Sequence, residues 1–263
     1  MKIITVNLPK GGTGKSTFSF NFAKWLADEK GKKVLLIDGD YSCNLTFSVT
    51  KNKDENSVLD IFLNRDVVLE EITENLNFLK GSENLNDKYL DLTVKHNNRL
   101  IFYMWLMDNL EFLEYDYILI DTHNNKELVT LNFLAVADIV IGVSDPSRNG
   151  LRAWFELEDT VDELKAELVE ARSRESYVNA KCYLVGNRVN HVGNTGKNFL
   201  ELIQEQDNYL GMIQTKELLA KSLFEDTSVF EAFNVMSPKD QKKHQAFMDS
   251  LVKLFEKIIE IEE

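Results

Sequence analysis

The chain of 263 residues has only two cysteines, Cys43 and Cys182. They are too few and too far apart for a disulfide framework or a CxxC metal site, and no paired cysteines could hold an iron–sulfur cluster. The four histidines, His96, His123, His191 and His244, show no ligand spacing. With three prolines and twelve glycines, little material is left for a disordered linker. There is no internal repeat and no low-complexity tract. Long apolar runs are missing too: "YILI" and "VLLI" are strand-sized, far below the roughly 20 residues of a membrane-spanning helix. Positive charge is scarce, since 30 Lys and Arg against 43 Asp and Glu give a net charge of -13. That balance favours solubility and opposes general attraction to DNA or anionic lipid. The opening "MKIITV" lacks a signal-peptide layout, which predicts a cytoplasmic chain.

What remains is an ordinary globular composition, 44% apolar and 28% charged, and the length suits one large α/β domain spanning residues 1–263. "KIITVNL" (2–8) and "KVLLID" (33–38) read as buried strands either side of a helix over 16–30. Two buried strands joined this way imply a right-handed parallel crossover. Residues 39–56 read as loop; 57–64 and 67–76 read as helical, and "LNFLKGS" as a short strand. A helix is expected over 94–113 and another over 151–168, with strands at 115–121, 138–144 and 180–187. Ser237 and Asp240 bracket Pro238 as the start of a final helix running to about Ile259. The alternation predicts a doubly wound, mostly parallel sheet with helices on both faces.

"NLPKGGTGKST" (Asn7–Thr17) lies between the first strand and the first helix, where a phosphate-binding loop belongs. Gly11, Gly12, Thr13 and Gly14 let backbone N–H groups approach phosphates, and the helix N-terminus favours their charge. Lys15 would reach the β- and γ-phosphates of ATP, Ser16 would bind Mg²⁺, and Thr17 closes the motif. The ordinary pattern, G-x-x-x-x-G-K-[ST], has no place for a second lysine at Lys10.

This stretch resembles the deviant Walker A motif of the ParA/MinD family of P-loop ATPases, most of all the small plasmid-partition proteins. The resemblance implies that Lys10 reaches across a nucleotide-sandwich homodimer to phosphates held by the partner. "LLIDGDYSCNLT" (35–46) resembles the family's switch I segment, matching at Asp38, Asp40, Asn44 and Thr46. By resemblance Asp40 positions the attacking water and Asp38 helps order Mg²⁺. "YDYILIDT" (115–122) resembles the Walker B strand, with Asp121 in the Mg²⁺ shell. Pro146 matches a family proline turn, Asn187 matches an adenine-contacting asparagine, and 218–233 resembles the end of plasmid-partition ATPases. Tyr41-Ser42-Cys43 departs from the usual Pro-Gln-Gly, and His123-Asn124-Asn125 replaces the usual Pro-Pro. His123 reads most simply as a solvated loop histidine, the alternative being a catalytic role near the Mg²⁺ site; Cys43 reads as a small polar substitution, the alternative being a redox handle.

In that family ATP binding makes a dimer, the dimer occupies a surface, and a partner protein triggers hydrolysis and release. The expectation is therefore a slow, partner-stimulated ATPase in plasmid or chromosome partition. It would bind DNA nonspecifically with ATP, act with a ParB-like or centromere-binding partner, and associate with the nucleoid. The alternative is a MinD-like positioning ATPase acting on a membrane or a protein complex. A metabolic P-loop ligase fits less well, because the Lys10 motif is intact. Candidate DNA contacts are Arg148, Arg152, Arg172, Arg174 and Arg188, with Lys197 and the run Lys239, Lys242 and Lys243. No helix-turn-helix precedes the loop, which argues against operator recognition. The last helix has an apolar stripe (Leu251, Leu254, Phe255, Ile258, Ile259), but Glu256, Glu260, Glu262 and Glu263 face two lysines on its polar side. Interfacial helices are rich in Lys and Arg, so this helix is expected to dock on the core.

Overall fold

A computed structural model describes residues 1–52, 56–189 and 194–261, without the side chains of 194–198. Eight strands form one sheet: β1 (Lys2–Asn7), β2 (Val34–Gly39), β3 (Glu70–Thr73), β4 (Leu76–Leu79), β5 (Tyr117–Thr122), β6 (Ile139–Ser144), β7 (Lys181–Val189) and β8 (Tyr209–Gln214). Their order is β3-β4-β2-β5-β1-β6-β7-β8. Every pairing is parallel except β3–β4, an antiparallel hairpin at one edge.

The central strands bury both faces, which is why they are apolar at consecutive positions. On one face Ile4, Val6, Leu36 and Leu119 pack under the helix Lys15–Lys24 and the final helix Pro238–Ile259. The ring of Phe255 lies 4.8 Å from Phe22, 5.4 Å from Trp25 and 5.6 Å from Phe18. On the other face Leu35, Ile37, Ile118 and Ile120 meet Phe62, Phe102 and Phe133. Further along that sheet Val140 and Leu184 meet Trp154 and Leu157 of the helix Arg148–Glu167.

Several elements differ from the sequence reading. The stretch 67–76 is not helical: Glu70–Thr73 is the edge strand paired with Leu76–Leu79, so cross-strand hydrogen bonds override its helix-like pattern. The loop 39–56 contains a short helix, Asn44–Val49, pinned by buried Leu45 and Val49. The helix expected over 94–113 shrinks to Ile101–Asn109, because Asn97 takes a positive φ of 54° and breaks the first half. Helix Leu128–Ala135, helix Asn194–Gln204 and strand β8 had no counterpart in the sequence reading. The first helix ends as a π-helical turn over Trp25–Glu29. The final helix is capped as expected, Ser237 accepting from the Asp240 N–H with Pro238 in the first turn.

Candidate nucleotide site

The parallel strands β1, β2 and β5 all end at the same edge, where ligands of open α/β sheets bind. Directly after β1 the chain turns back on itself, with φ of 74° at Gly12 and 97° at Gly14. At that φ any side chain is strained, which requires glycine at 14; a Cβ there would also lie 2.3 Å from Asn187 Nδ2, which would have to move. Lys15 is only 8% exposed. Its ammonium lies 3.4 Å from the carbonyls of Leu8 and Lys10, beneath the loop. Burial pulls its pKa down, opposed by Asp121 and Asp40.

Lys10 points elsewhere. Its Nζ is 2.5 Å from Asp145 Oδ1 and 3.2 Å from Ser147 Oγ, beyond the end of β6. Asp145 had not been singled out from sequence, although its place just after a central strand is the signal that marks such residues.

Asp38 and Asp121 are register partners at the ends of β2 and β5 and are fully buried. Asp38 Oδ2 accepts from the Thr46 N–H at 2.8 Å and the Thr46 hydroxyl at 2.6 Å, and Oδ1 accepts from the Asp40 N–H at 3.1 Å. Burial and the neighbouring Asp121 push the Asp38 pKa up to about 7. Burial pushes Asp121 up to about 6, against the opposing influence of Ser16, Lys15 and Ser19. Asp121 Oδ1 accepts from the Ser19 hydroxyl at 2.9 Å. Its Oδ2 is buried without a well-formed hydrogen bond among the described residues. Two buried carboxylates of raised pKa, one with an orphaned oxygen, are the donor set a hard divalent cation would satisfy. Ser16, Asp38 and Asp121 fit Mg²⁺ in that sense. Ser19 was missed from sequence, though it sits one turn after Ser16 on the same helix.

Asp40 follows β2. Burial alone would raise its pKa, but hydrogen bonds from His123 and the Ser42 N–H outweigh it and hold the carboxyl below its usual range. The His123 ring is not solvated as expected from sequence. Its Nδ1 lies 2.7 Å from Asp40 Oδ1 and its ring stacks 4.1 Å from that of Tyr41. Cys43 is buried at the start of the Asn44–Val49 helix, and burial pushes its thiol up to about 12, which makes it unreactive.

Asn187, at the end of β7, donates from Nδ2 to the Thr13 carbonyl at 2.6 Å, and its Oδ1 accepts from the Arg188 N–H. Arg188, expected as a DNA contact, donates instead to the Gly12 carbonyl at 2.6 Å. Together they fasten the loop from above. They also wall a cleft with Gly14, Thr17, Ile213 and Lys216, a place suited to a nucleobase beside the loop.

The other candidate DNA contacts are dispersed. Arg148 and Arg152 lie at the start of a 20-residue helix, about 30 Å long, while Arg172 and Arg174 follow its far end. Arg152 pairs with Glu156 and Lys243 with Asp240. Lys239 and Lys242 lie in the first turns of the final helix, and the side chain of Lys197 is outside the described residues. The stripe on the final helix faces inward: Leu251, Leu254, Phe255 and Ile258 are buried, and Ile259 is partly so. Glu262 and Glu263 lie outside the described residues. Among the described residues no helix is long and apolar enough to cross a membrane.

Comparison with known proteins agrees with this geometry. A family model described as "AAA domain" matches residues 1–172. The sporulation initiation inhibitor protein Soj of Bacillus subtilis is 33% identical over 150 residues, 53% of this chain and 56% of Soj. The chain therefore matches little more than half the length of that relative. The septum site-determining protein MinD of Helicobacter pylori is 29% identical over 193 residues, 64% of this chain and 68% of MinD. A Borrelia burgdorferi B31 protein assigned to plasmid partition, bound to AMPPNP, superposes with a TM-score of 0.77 over 98% of both chains at 21% identity, which shows the shared fold. With the match covering the loop, both carboxylate strands and the turn at Asp145, the chain belongs to the AAA-domain family and is a P-loop ATPase of the ParA/MinD type.

Proposed function

We propose that this protein is a dimerising switch that hydrolyses ATP to ADP and phosphate during plasmid or chromosome partition. The observation that carries this reading is the division of labour between two lysines. Lys15 lies beneath its own loop, while Lys10 is directed away from it toward Asp145. A lysine that does not serve its own loop is available to the phosphates of a second copy.

In this reading the backbone of Gly11 to Ser16 and the Lys15 ammonium hold the phosphates, and Asn187 and Arg188 keep the loop in shape. Mg²⁺, held by Ser16 with Asp38 and Asp121, would neutralise charge on the β- and γ-phosphates. Asp40 is ionised at neutral pH because its pKa is lowered, so it accepts a hydrogen bond from water and aims it at the γ-phosphorus. The new P–O bond forms from that water, whose proton goes to the Asp40 carboxylate and on to solvent, while the bond to the bridging oxygen breaks and ADP leaves with the electron pair. Charge from Lys10 of the second copy would stabilise the transferred group, so turnover depends on the dimer.

The ATP dimer would hold DNA nonspecifically and be released when a ParB-like or centromere-binding partner stimulates hydrolysis. A positioning role on a protein complex is the second reading, supported by the longer alignment with MinD. The test is light scattering and mobility shift on nonspecific duplex DNA, with ATP and with ADP, across a salt series. Binding with ATP alone that weakens steeply with salt, and is lost in Lys10→Ala, is the expected result. A confirmed ATP dimer that ignores DNA at low salt would overturn the DNA role. Normal dimerisation of Lys10→Ala would overturn the dimer mechanism.

A further inference from the structure

The loop after β5 holds one side chain, that of His123, against Asp40 from several directions. Thr122 ends the strand, and Asn7 Nδ2 donates both to the Thr122 hydroxyl at 2.7 Å and to the His123 carbonyl at 3.0 Å. The backbone of His123 is thereby tied to the end of β1. Asn125 fixes the other side of the turn, its Oδ1 accepting from the Thr130 hydroxyl at 2.8 Å. Tyr41 covers the imidazole, the two ring centroids 4.1 Å apart with their planes tilted by 30°. The ring is held on its backbone and on one face, and its Nδ1 ends 2.7 Å from Asp40 Oδ1.

Two hydrogen bonds converge on that oxygen: the Ser42 N–H also donates to Asp40 Oδ1, at 2.7 Å. The Ser42 side chain adds a further hydrogen bond to the carboxylate, and neither of the two donors on Oδ1 uses Oδ2. A carboxylate fixed by two donors on one oxygen presents the other in one direction, which is what orienting a nucleophile requires. A hydrogen on Nδ1 lets the ring donate to that oxygen. Tyr41 and His123 stand at two positions where the sequence departs from the pattern it resembles, and the structure brings the two departures into contact.

We infer that His123 is a positioning residue for ATP hydrolysis, acting through Asp40, with Tyr41 clamping its ring. This rests on the reading of Asp40 as the residue that aims the water. The experiment measures steady-state ATP hydrolysis by the full chain with Mg²⁺ for wild type and for Asp40→Ala, His123→Ala, His123→Asn and the double variant Asp40→Ala/His123→Ala. A fluorescent ATP analogue reports nucleotide affinity alongside. Loss of a group that orients another typically costs about 10- to 100-fold in activity. His123→Ala is expected to lower kcat by about tenfold or more while KM and analogue affinity stay within about twofold. His123→Asn, whose amide N–H replaces Nδ1–H, recovers most of the rate. The double variant is no slower than Asp40→Ala alone. If His123→Ala does not fold, Tyr41→Ala takes its place and is expected to lower kcat in the same way.

A kcat for His123→Ala within twofold of wild type, with Asp40→Ala inactive, overturns the inference and leaves Asp40 in its role. So does a failure of His123→Asn to recover rate, or a double variant slowed by the product of the single effects. Full activity of Asp40→Ala overturns the reading of Asp40 itself, and the role of His123 falls with it.

Discussion

Lys10 Nζ and Asp145 Oδ1 lie 2.5 Å apart within one chain, each side chain one-quarter exposed. On the proposed reading Lys10 also serves a second copy, so this ion pair and the dimer compete for it. Pairs this accessible to water contribute about 0–1 kcal/mol, enough to bias dimerisation without preventing it. Asp145→Asn keeps the acceptor for the Ser147 hydroxyl and weakens the hold on Lys10. ATP-dependent dimerisation, followed by sedimentation, is expected to move to about two- to fivefold lower protein concentration. A shift to higher concentration would mean that Asp145 belongs to the dimer contact.

Gly14 gives a separate test of the loop. At φ 97° a side chain is strained, and a Cβ would also strike Asn187 Nδ2 at 2.3 Å. Gly14→Ala is expected to weaken ATP binding by about tenfold or more, read by calorimetry. Asn187→Ala removes the clash but not the strain, so Gly14→Ala/Asn187→Ala should not return to wild-type affinity. Full recovery in the double variant would show that space, and not φ, fixes glycine there.

How much of this was legible in the sequence depends on which interactions made it. The central strands and the phosphate loop were legible because their requirements are local: consecutive apolar residues for two-sided burial, glycines where φ turns positive. The edge hairpin was not, since Glu70–Thr73 owes its strand form to a partner strand and not to its own pattern. Within the site, Asp38, Asp40 and Asp121 were marked by their spacing after strands. The partners that give them character were hidden, because Ser19 to Asp121 spans 102 positions and His123 to Asp40 spans 83. His123 looked like a solvated loop residue because nothing adjacent in the chain shows Tyr41 lying against it.

The Asp38–Asp121 pair sets a pH dependence. Both folded-state values, about 7 and about 6, lie above the ordinary 3.8. The fold therefore binds more protons than the unfolded chain in this range, and stability falls as pH rises. The contribution is complete below about pH 4 and lost once pH has passed through the folded values, by about pH 8. In EDTA the melting temperature is expected to fall between pH 5 and pH 8, with a shallower fall in Asp38→Asn. Mg²⁺ with ADP should restore stability most at the alkaline end, where both carboxylates are ionised. A melting temperature that rises with pH in EDTA would contradict the assignment.

The final helix separates the membrane reading from the others. Phe255 is fully buried and touches the rings of Phe18, Phe22 and Trp25, in the helix that follows the phosphate loop and in its π-helical extension. Its apolar stripe is thus already in use, and exposing it to lipid would open the core beside the nucleotide. Phe255→Ala is expected to cost about 3–5 kcal/mol, visible as a lower urea midpoint, and to weaken nucleotide binding with it. A membrane anchor would behave differently, since its loss would spare stability and abolish only lipid binding. Cosedimentation with phosphatidylserine vesicles should be equally low with ATP and with ADP, because the apolar stripe is buried, the outer side sets Lys253 and Lys257 against Glu256 and Glu260 with no net positive charge, and the helix is not free to leave. ATP-dependent cosedimentation that Phe255→Ala abolishes without lowering the urea midpoint would reverse the assignment and make this helix the device that carries the switch to a membrane.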